Sequence, residues 1–103
     1  MLVAEQFDRE FACSERAWLA LLPHAVGGRP ATLVAQALTV SIEAGDGRDA
    51  GELALSWRQA PARAASKPGT PRLLASFRFR GLDDLARYRF MKRFDLVLQR
   101  AAS

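Results

Sequence analysis

The stretch ASFRFRGLDDLARYRFMKRFDLVLQR, residues 75–100, decides the fold because the spacing of its apolar residues changes once along it. Its first six residues alternate between apolar and polar, as in a β-strand with one buried face. Gly81 then turns the chain, and Asp83 or Asp84 is placed to cap a long helix that continues to about Arg100. The stretch predicts a half-buried strand followed at once by an amphipathic helix.

Within that helix, the basic and aromatic residues that alternate in RYRFMKRFD separate onto different faces. At about 100° per residue, a sector of about 120° contains most of the apolar residues. Its members are Ala86, Phe90, Phe94, Val97, Leu98 and Ala101, with Met91 at its edge. The rings are therefore predicted to point into the core, where they cannot stack on nucleic-acid bases.

Three further apolar residues of the helix, Leu85, Tyr88 and Leu96, lie outside that sector, near Lys92. Apolar groups outside the core face are typical of contacts between proteins, so these three residues form a predicted interface, which in one version joins two identical chains. The alternative is that an N-terminal arm containing Phe7 and Phe11 covers them. The same two phenylalanines, four positions apart, are also compatible with a backward extension of the first helix.

A first helix is predicted over residues 14–25. Ser14 is a favourable N-cap, and Gly27 with Gly28 is a common helix end. Pro23 fits badly inside a helix, so an early break of the last turn is expected.

Two more strands are predicted between the helices, over residues 34–43 and 53–58, where the apolar period is close to 2. One slip near Ala37 indicates a β-bulge. The segment AGDGRDAG joins the strands as a turn. A basic loop with three prolines, at about residues 61–72, is predicted to be flexible because proline disfavours both helix and sheet.

These elements predict one α+β domain spanning residues 1–103, a two-layer sandwich with the order α-β-β-β-α. Sequential strands with short connections pair antiparallel most simply, and both helices would cover the apolar face of the sheet. The other face would be open. Its predicted outward side chains are Thr39, Ser41, Glu43, Ala54, Ser56, Arg58, Ser76, Arg78 and Arg80.

The net charge of +4 is distributed unevenly. The first 60 residues carry five Arg against eight acidic residues, whereas the remainder carries ten Arg and Lys against three Asp. This asymmetry raises the hypothesis of anion or nucleic-acid-backbone binding. Its candidate residues are Arg58, Arg63, Lys67, Arg78, Arg80, Arg89 and Arg93. The alternative is that the charge is neutralised within the fold, and Glu43 and Glu52 would repel phosphates from part of the sheet.

No catalytic constellation is visible in the sequence, so the protein is predicted not to be an enzyme. His24 is the single histidine and stands at a helix end. Cys13, a candidate nucleophile, has Asp8, Glu10 and Glu15 near it rather than a base, so it is predicted to be a small buried residue. The turn AGDGRDAG is acidic, but it contains Arg48, and its carboxylates do not have the spacing of the ligands in a calcium-binding loop. We therefore expect no metal and no cofactor.

The N-terminal sequence has no basic region followed by an apolar run, and the longest uncharged run, Pro30–Ile42, is 13 residues. The sequence thus predicts neither a signal peptide nor a membrane span. It favours a cytoplasmic location. The leading functional hypothesis is a small non-enzymatic interaction module that contacts a protein partner or itself. Anion binding is the first alternative. The second is a pocket for a small apolar ligand between helices and sheet, with walls from Trp18, Trp57, Phe77 and Phe94.

Overall fold

The computed structural model describes residues 3–43, 50–60 and 71–101. Within these ranges the chain forms two helices and five strands, so the α+β class is confirmed and the count of three strands is wrong. The elements in chain order are β1 (Gln6–Phe11), α1 (Glu15–Ala25), β2 (Ala31–Val34), β3 (Ala37–Glu43), β4 (Ala50–Gln59), β5 (Leu73–Arg80) and α2 (Asp84–Ala101). Most of the predicted 61–72 loop lies outside the described residues.

The five strands form one antiparallel sheet in the order β1-β5-β4-β3-β2. Strands β2 to β5 follow one another as a meander, in which each strand pairs with the next. The first strand then joins the opposite edge beside β5, from Gln6 opposite Arg78 to Phe11 opposite Leu73.

Strand β1 replaces the helical extension or free arm predicted around Phe7 and Phe11. Two apolar residues four positions apart share a face in both a helix and a strand, so their spacing did not distinguish the two. The Phe7 ring stacks on Phe77, with centroids 4.9 Å apart, and Phe11 lies 5.0 Å from Trp18. Both rings are partly buried and pack against the core, and neither covers the outer face of α2.

The structure has a hairpin where a bulge was predicted near Ala37, so the predicted strand is divided into β2 and β3. Val34 pairs with Ala37, and the two residues between them form the turn that separates β2 from β3. Ala35 has φ of 53°, a left-handed conformation for which glycine is the usual residue. The turn therefore lacked the glycine or asparagine signal by which such hairpins are recognised.

Both helices cover one face of the sheet, and their aromatic residues fill the layer between. Trp18 of α1 and Phe94 of α2 are fully buried, with ring centroids 5.9 Å apart. Phe94 in turn lies 5.4 Å from Phe77, and Trp18 lies 5.8 Å from Trp57. The four predicted pocket walls thus contact one another, which gives the ligand-pocket hypothesis no support.

Helix α1 begins and ends with recognisable caps. The Ser14 hydroxyl accepts a hydrogen bond from the backbone N–H of Ala17. At the other end, the N–H groups of Gly27 and Gly28 donate to the carbonyls of His24 and Pro23, the paired bonds of a Schellman motif. The helix runs on through Pro23 to Ala25, so the expected early break is absent.

Helix α2 starts where the sequence placed it. The Asp83 carboxylate accepts a hydrogen bond from the N–H of Ala86, which makes Asp83 the N-cap. Asp84 accepts a hydrogen bond from the N–H of Val3, while Arg87 donates to the Val3 carbonyl. The start of α2 is therefore bound to the segment that precedes β1.

Candidate interaction surface

The face of the sheet opposite the helices, which we call the open face, presents its side chains in four rows across the strands. Row 1 contains Ser41, Glu52 and Arg80; row 2 contains Thr32, Thr39, Ala54, Arg78 and Gln6; row 3 contains Val34, Ala37, Ser56, Ser76 and Asp8; row 4 contains Arg58, Leu74 and Glu10. Every one of these residues is exposed or half-buried. No helix covers this face in the described part of the chain.

Small side chains occupy the middle of the open face. Thr39, Ala54 and Ser56 are neighbours there on β3 and β4, and Ser76 is the register partner of Ser56 on β5. Two shallow depressions, of about 380 and 300 Å³, lie over this region and share Ser56 and Ser76 in their linings. A partner can therefore approach the sheet closely at its centre.

Charged side chains surround that centre. Among the residues that the structure describes, Asp8, Glu52, Arg58, Arg78 and Arg80 form no ion pair within the chain. Glu52 and Arg80 are direct neighbours across β4 and β5, yet no ion pair forms between them. Charges of both signs are thus available for contacts outside the chain.

Other charged residues, including Glu10 in row 4 of the open face, are paired within the chain. Arg9 of β1 bonds Asp95 of α2, and Arg87 lies within 3.9 Å of a Glu5 oxygen and 3.8 Å of an Asp84 oxygen. Two further pairs are Arg29 with Glu43 and Arg72 with Glu10. The hydrogen bonds from Arg29 lower the pKa of the Glu43 carboxyl. Part of the basic excess is therefore neutralised within the fold.

The predicted anion-binding residues do not form one surface. Arg58, Arg78 and Arg80 share the open face, in rows that also contain Asp8 and Glu52. The helix residues of the set, Arg89 and Arg93, belong to the layer on the other side of the sheet. Arg63 and Lys67 lie outside the described residues.

The predicted interface on α2 is a stripe along the outer side of that helix. Leu85 is 54% exposed and Leu96 is 44% exposed, while Tyr88 is half-buried. Tyr88 and Leu96 border a groove of about 280 Å³ together with Val3 and Lys92. The two exposed leucines lie three turns apart on the helix, so the stripe is narrow.

The open edge of β2 was missed by the sequence analysis. Leu33 is 52% exposed and Val34 is 67% exposed, although both are strongly apolar. Val34 had been predicted on the apolar side of one long strand, over residues 34–43, and Leu33 had been assigned to no element. The hairpin turn at Ala35 moves them to the edge of the sheet.

The candidate nucleophile Cys13 is half-buried rather than buried. It borders an apolar groove of about 550 Å³ between the two helices, together with Phe11, Ala17, Leu21 and Leu98. Burial raises the pKa of the Cys13 thiol, so the thiol is neutral at physiological pH. A neutral thiol is a poor nucleophile.

The described residues bring no three His, Cys, Asp or Glu side chains into a position to share a metal ion. In the same part of the chain, neither helix combines the length and the apolar character needed to cross a bilayer.

Comparisons with protein-family models, with curated proteins and with solved structures found no match to this chain.

Proposed function

We propose that the protein is a small non-enzymatic interaction module, and that the open face of its sheet is the surface that binds another protein. The observation that carries the proposal is that five charged residues of this face have no ion-pair partner in the described part of their own chain. Sheets usually bury at least one face, and a sheet with one solvated face has a polar outer side, as here. The small centre with a charged surround is the pattern of a polar protein–protein contact.

The outer stripe of α2 is the second candidate surface for the same function. Its exposed residues, Leu85 and Leu96, are apolar, but Lys92 lies between them on the helix surface. Single exposed leucines are common on folded proteins and need no partner. The open face is wider and continuous, so it is the preferred surface.

Site-specific photo-crosslinking tests the proposal. A benzophenone amino acid would replace Ser56 on the open face, Leu85 on α2, or Arg16, an exposed residue of α1 that serves as the control. We expect adducts from position 56, with the partner identified by mass spectrometry and then reconstituted from purified components. Adducts from position 85 alone would move the surface to α2. If neither position gives more than position 16, the protein is not an interaction module.

The alternative of anion binding is favoured by one observation: Arg58, Arg78 and Arg80 share one face, and their guanidinium groups form no ion pair with any residue that the structure describes. Binding to a phosphate backbone would weaken steeply with salt. Retention on an immobilised polyanion at low salt, abolished by Arg78→Ala with Arg80→Ala and unaffected by Arg100→Ala, would support this alternative. Equal retention of all three proteins would remove it.

A further inference from the structure

We infer that the protein bound by the open face is a second copy of this chain, with the two sheets packed face to face around a two-fold axis perpendicular to the strands. The inference rests on the proposed function of the open face. It follows from the pattern of charges along and across the four rows.

An axis that lies between rows 2 and 3 exchanges row 1 with row 4 and row 2 with row 3. It also places each strand over the same strand of the other copy, in the antiparallel sense. Glu52, at one end of β4, then lies opposite Arg58 of the second copy, and the symmetry repeats this contact. Two interchain ion pairs result from residues that have no partner within the described part of their own chain.

The same axis places no other charged residue of the face directly opposite one of like sign. Arg78 comes over Ser76 of the second copy, in the row that also contains Asp8. Arg80 comes over Leu74, an uncharged residue. A two-fold axis along β4 would instead place Glu52 on Glu52, which is unfavourable. Charge complementarity therefore selects the perpendicular axis.

The centre of the face suits this packing. Ala54 lies opposite Ser56 of the second copy, and Thr39 lies opposite Ala37, so no large side chain separates the sheets at β3 and β4. Stacked sheets pack about 10 Å apart, and small facing residues allow that approach.

The face measures roughly 24 Å across five strands and about 20 Å along four rows, from the usual strand spacing and rise. Its area is thus smaller than the roughly 800 Å² per partner of a standard interface. We therefore expect a weak dimer whose population depends on protein concentration.

Sedimentation equilibrium from about 1 μM to about 1 mM tests the inference, because this range spans the dissociation constants of weak dimers. We expect a reversible monomer–dimer equilibrium for the unmodified chain. Glu52→Arg alone and Arg58→Glu alone should each weaken dimerisation by about tenfold or more, since like charges then face each other. An equimolar mixture of the two variants should restore it.

Restoration in the mixture can come only from contacts between chains. Residues 52 and 58 are about 20 Å apart along one strand, so they do not pair within a chain. Leu85→Glu, an equally polar change on the exposed side of α2, should leave the dimer unchanged. A loss of dimer with Leu85→Glu would place the contact on α2 and overturn the inference.

A monomer at every concentration would also overturn the inference, as would a dimer that neither charge reversal weakens. The crosslinking experiment separates this failure from failure of the proposed function. Adducts from position 56 to a different protein, with a monomeric chain, would leave the interaction surface intact and remove only the second copy as its occupant.

Discussion

The carboxylate of Glu15 accepts a hydrogen bond from the indole nitrogen of the buried Trp57, at 3.1 Å. The side-chain amide of Gln36 donates to the same oxygen at 2.5 Å. One carboxylate in the first turn of α1 thus connects the helix with the β2–β3 turn and with β4. A buried indole N–H without a partner destabilises a fold, so this carboxylate has a structural role.

Replacement of Glu15 by Ala should lower the free energy of unfolding by about 1–2 kcal/mol, because Trp57 Nε1 then lacks its partner in a buried site. Urea denaturation followed by tryptophan fluorescence would measure the change. Arg16→Ala, at the next position and exposed, should cost less than about 0.5 kcal/mol. Equal losses for the two variants would show that the hydrogen bond contributes nothing.

Replacement of Ala35 by Gly should raise the free energy of unfolding by about 0.5–1 kcal/mol, because a left-handed backbone is strained for alanine and not for glycine. Ala37→Gly is the matched control. It lies two residues away on β3, outside the left-handed region, so it should lower stability by about 0.5–1 kcal/mol. Chemical denaturation of both variants tests the opposite signs, and a loss of stability in Ala35→Gly would contradict the strain.

Replacement of Gly51 by Ala should cost about 2 kcal/mol or more, because the added methyl group meets crowded atoms. A Cβ at this position would lie 2.5 Å from the Arg80 carbonyl oxygen and 2.6 Å from Cγ of Leu82. Gly28→Ala provides the comparison, since open space surrounds Gly28 and only its φ of +72° opposes a side chain. Thermal unfolding should show the larger loss for Gly51→Ala, and a larger loss for Gly28→Ala would refute the crowding.

The Cys13 thiol should react with Ellman's reagent more slowly than an exposed thiol at pH 8, because burial raises its pKa and lowers the thiolate fraction. The control is the double variant Cys13→Ala with Ser56→Cys, which moves the single thiol to the exposed open face. The raised pKa of the Cys13 thiol also makes the free energy of unfolding depend on pH. The stabilisation is complete below the pKa of the thiol in the unfolded chain, and it is lost as pH rises through the higher pKa of the folded protein. Equal rates for the two proteins across pH 7–9 would contradict the effect of burial.

Much of the central sheet follows from sequence periodicity alone. Strands β4 and β5 and helix α2 have apolar spacings that fit only one element type. Apart from Glu43, the outward residues predicted on β3 to β5 lie in the four rows of the open face. The acidic partners on that face were not all foreseen. Asp8 belongs to β1, whose pairing with β5 is a long-range contact that no local pattern encodes.

The two strands that were not predicted, β1 and β2, escaped prediction for different physical reasons. The pair Phe7 and Phe11 has a spacing compatible with both a strand and a helix, and only the neighbouring strand decides between them. The hairpin at Ala35 is closed by a residue that rarely adopts its conformation, so turn chemistry gave no signal there. The open face includes β1, which contributes Asp8. Because β1 was not predicted, the sequence indicated a basic surface where the structure has a surface of mixed charge.

The position of β1 beside β5 also sets an order of assembly. Arg9 of β1 bonds Asp95, 86 positions later in the chain, and the register partners of β1 all lie in residues 73–78. During synthesis β1 leaves the ribosome before any of its partners, whereas β2, β3 and β4 each meet a neighbour soon after they emerge. Phe7 therefore lacks its stacking partner Phe77 on the nascent chain until β5 arrives, and we expect closure of the sheet to be among the last steps of folding.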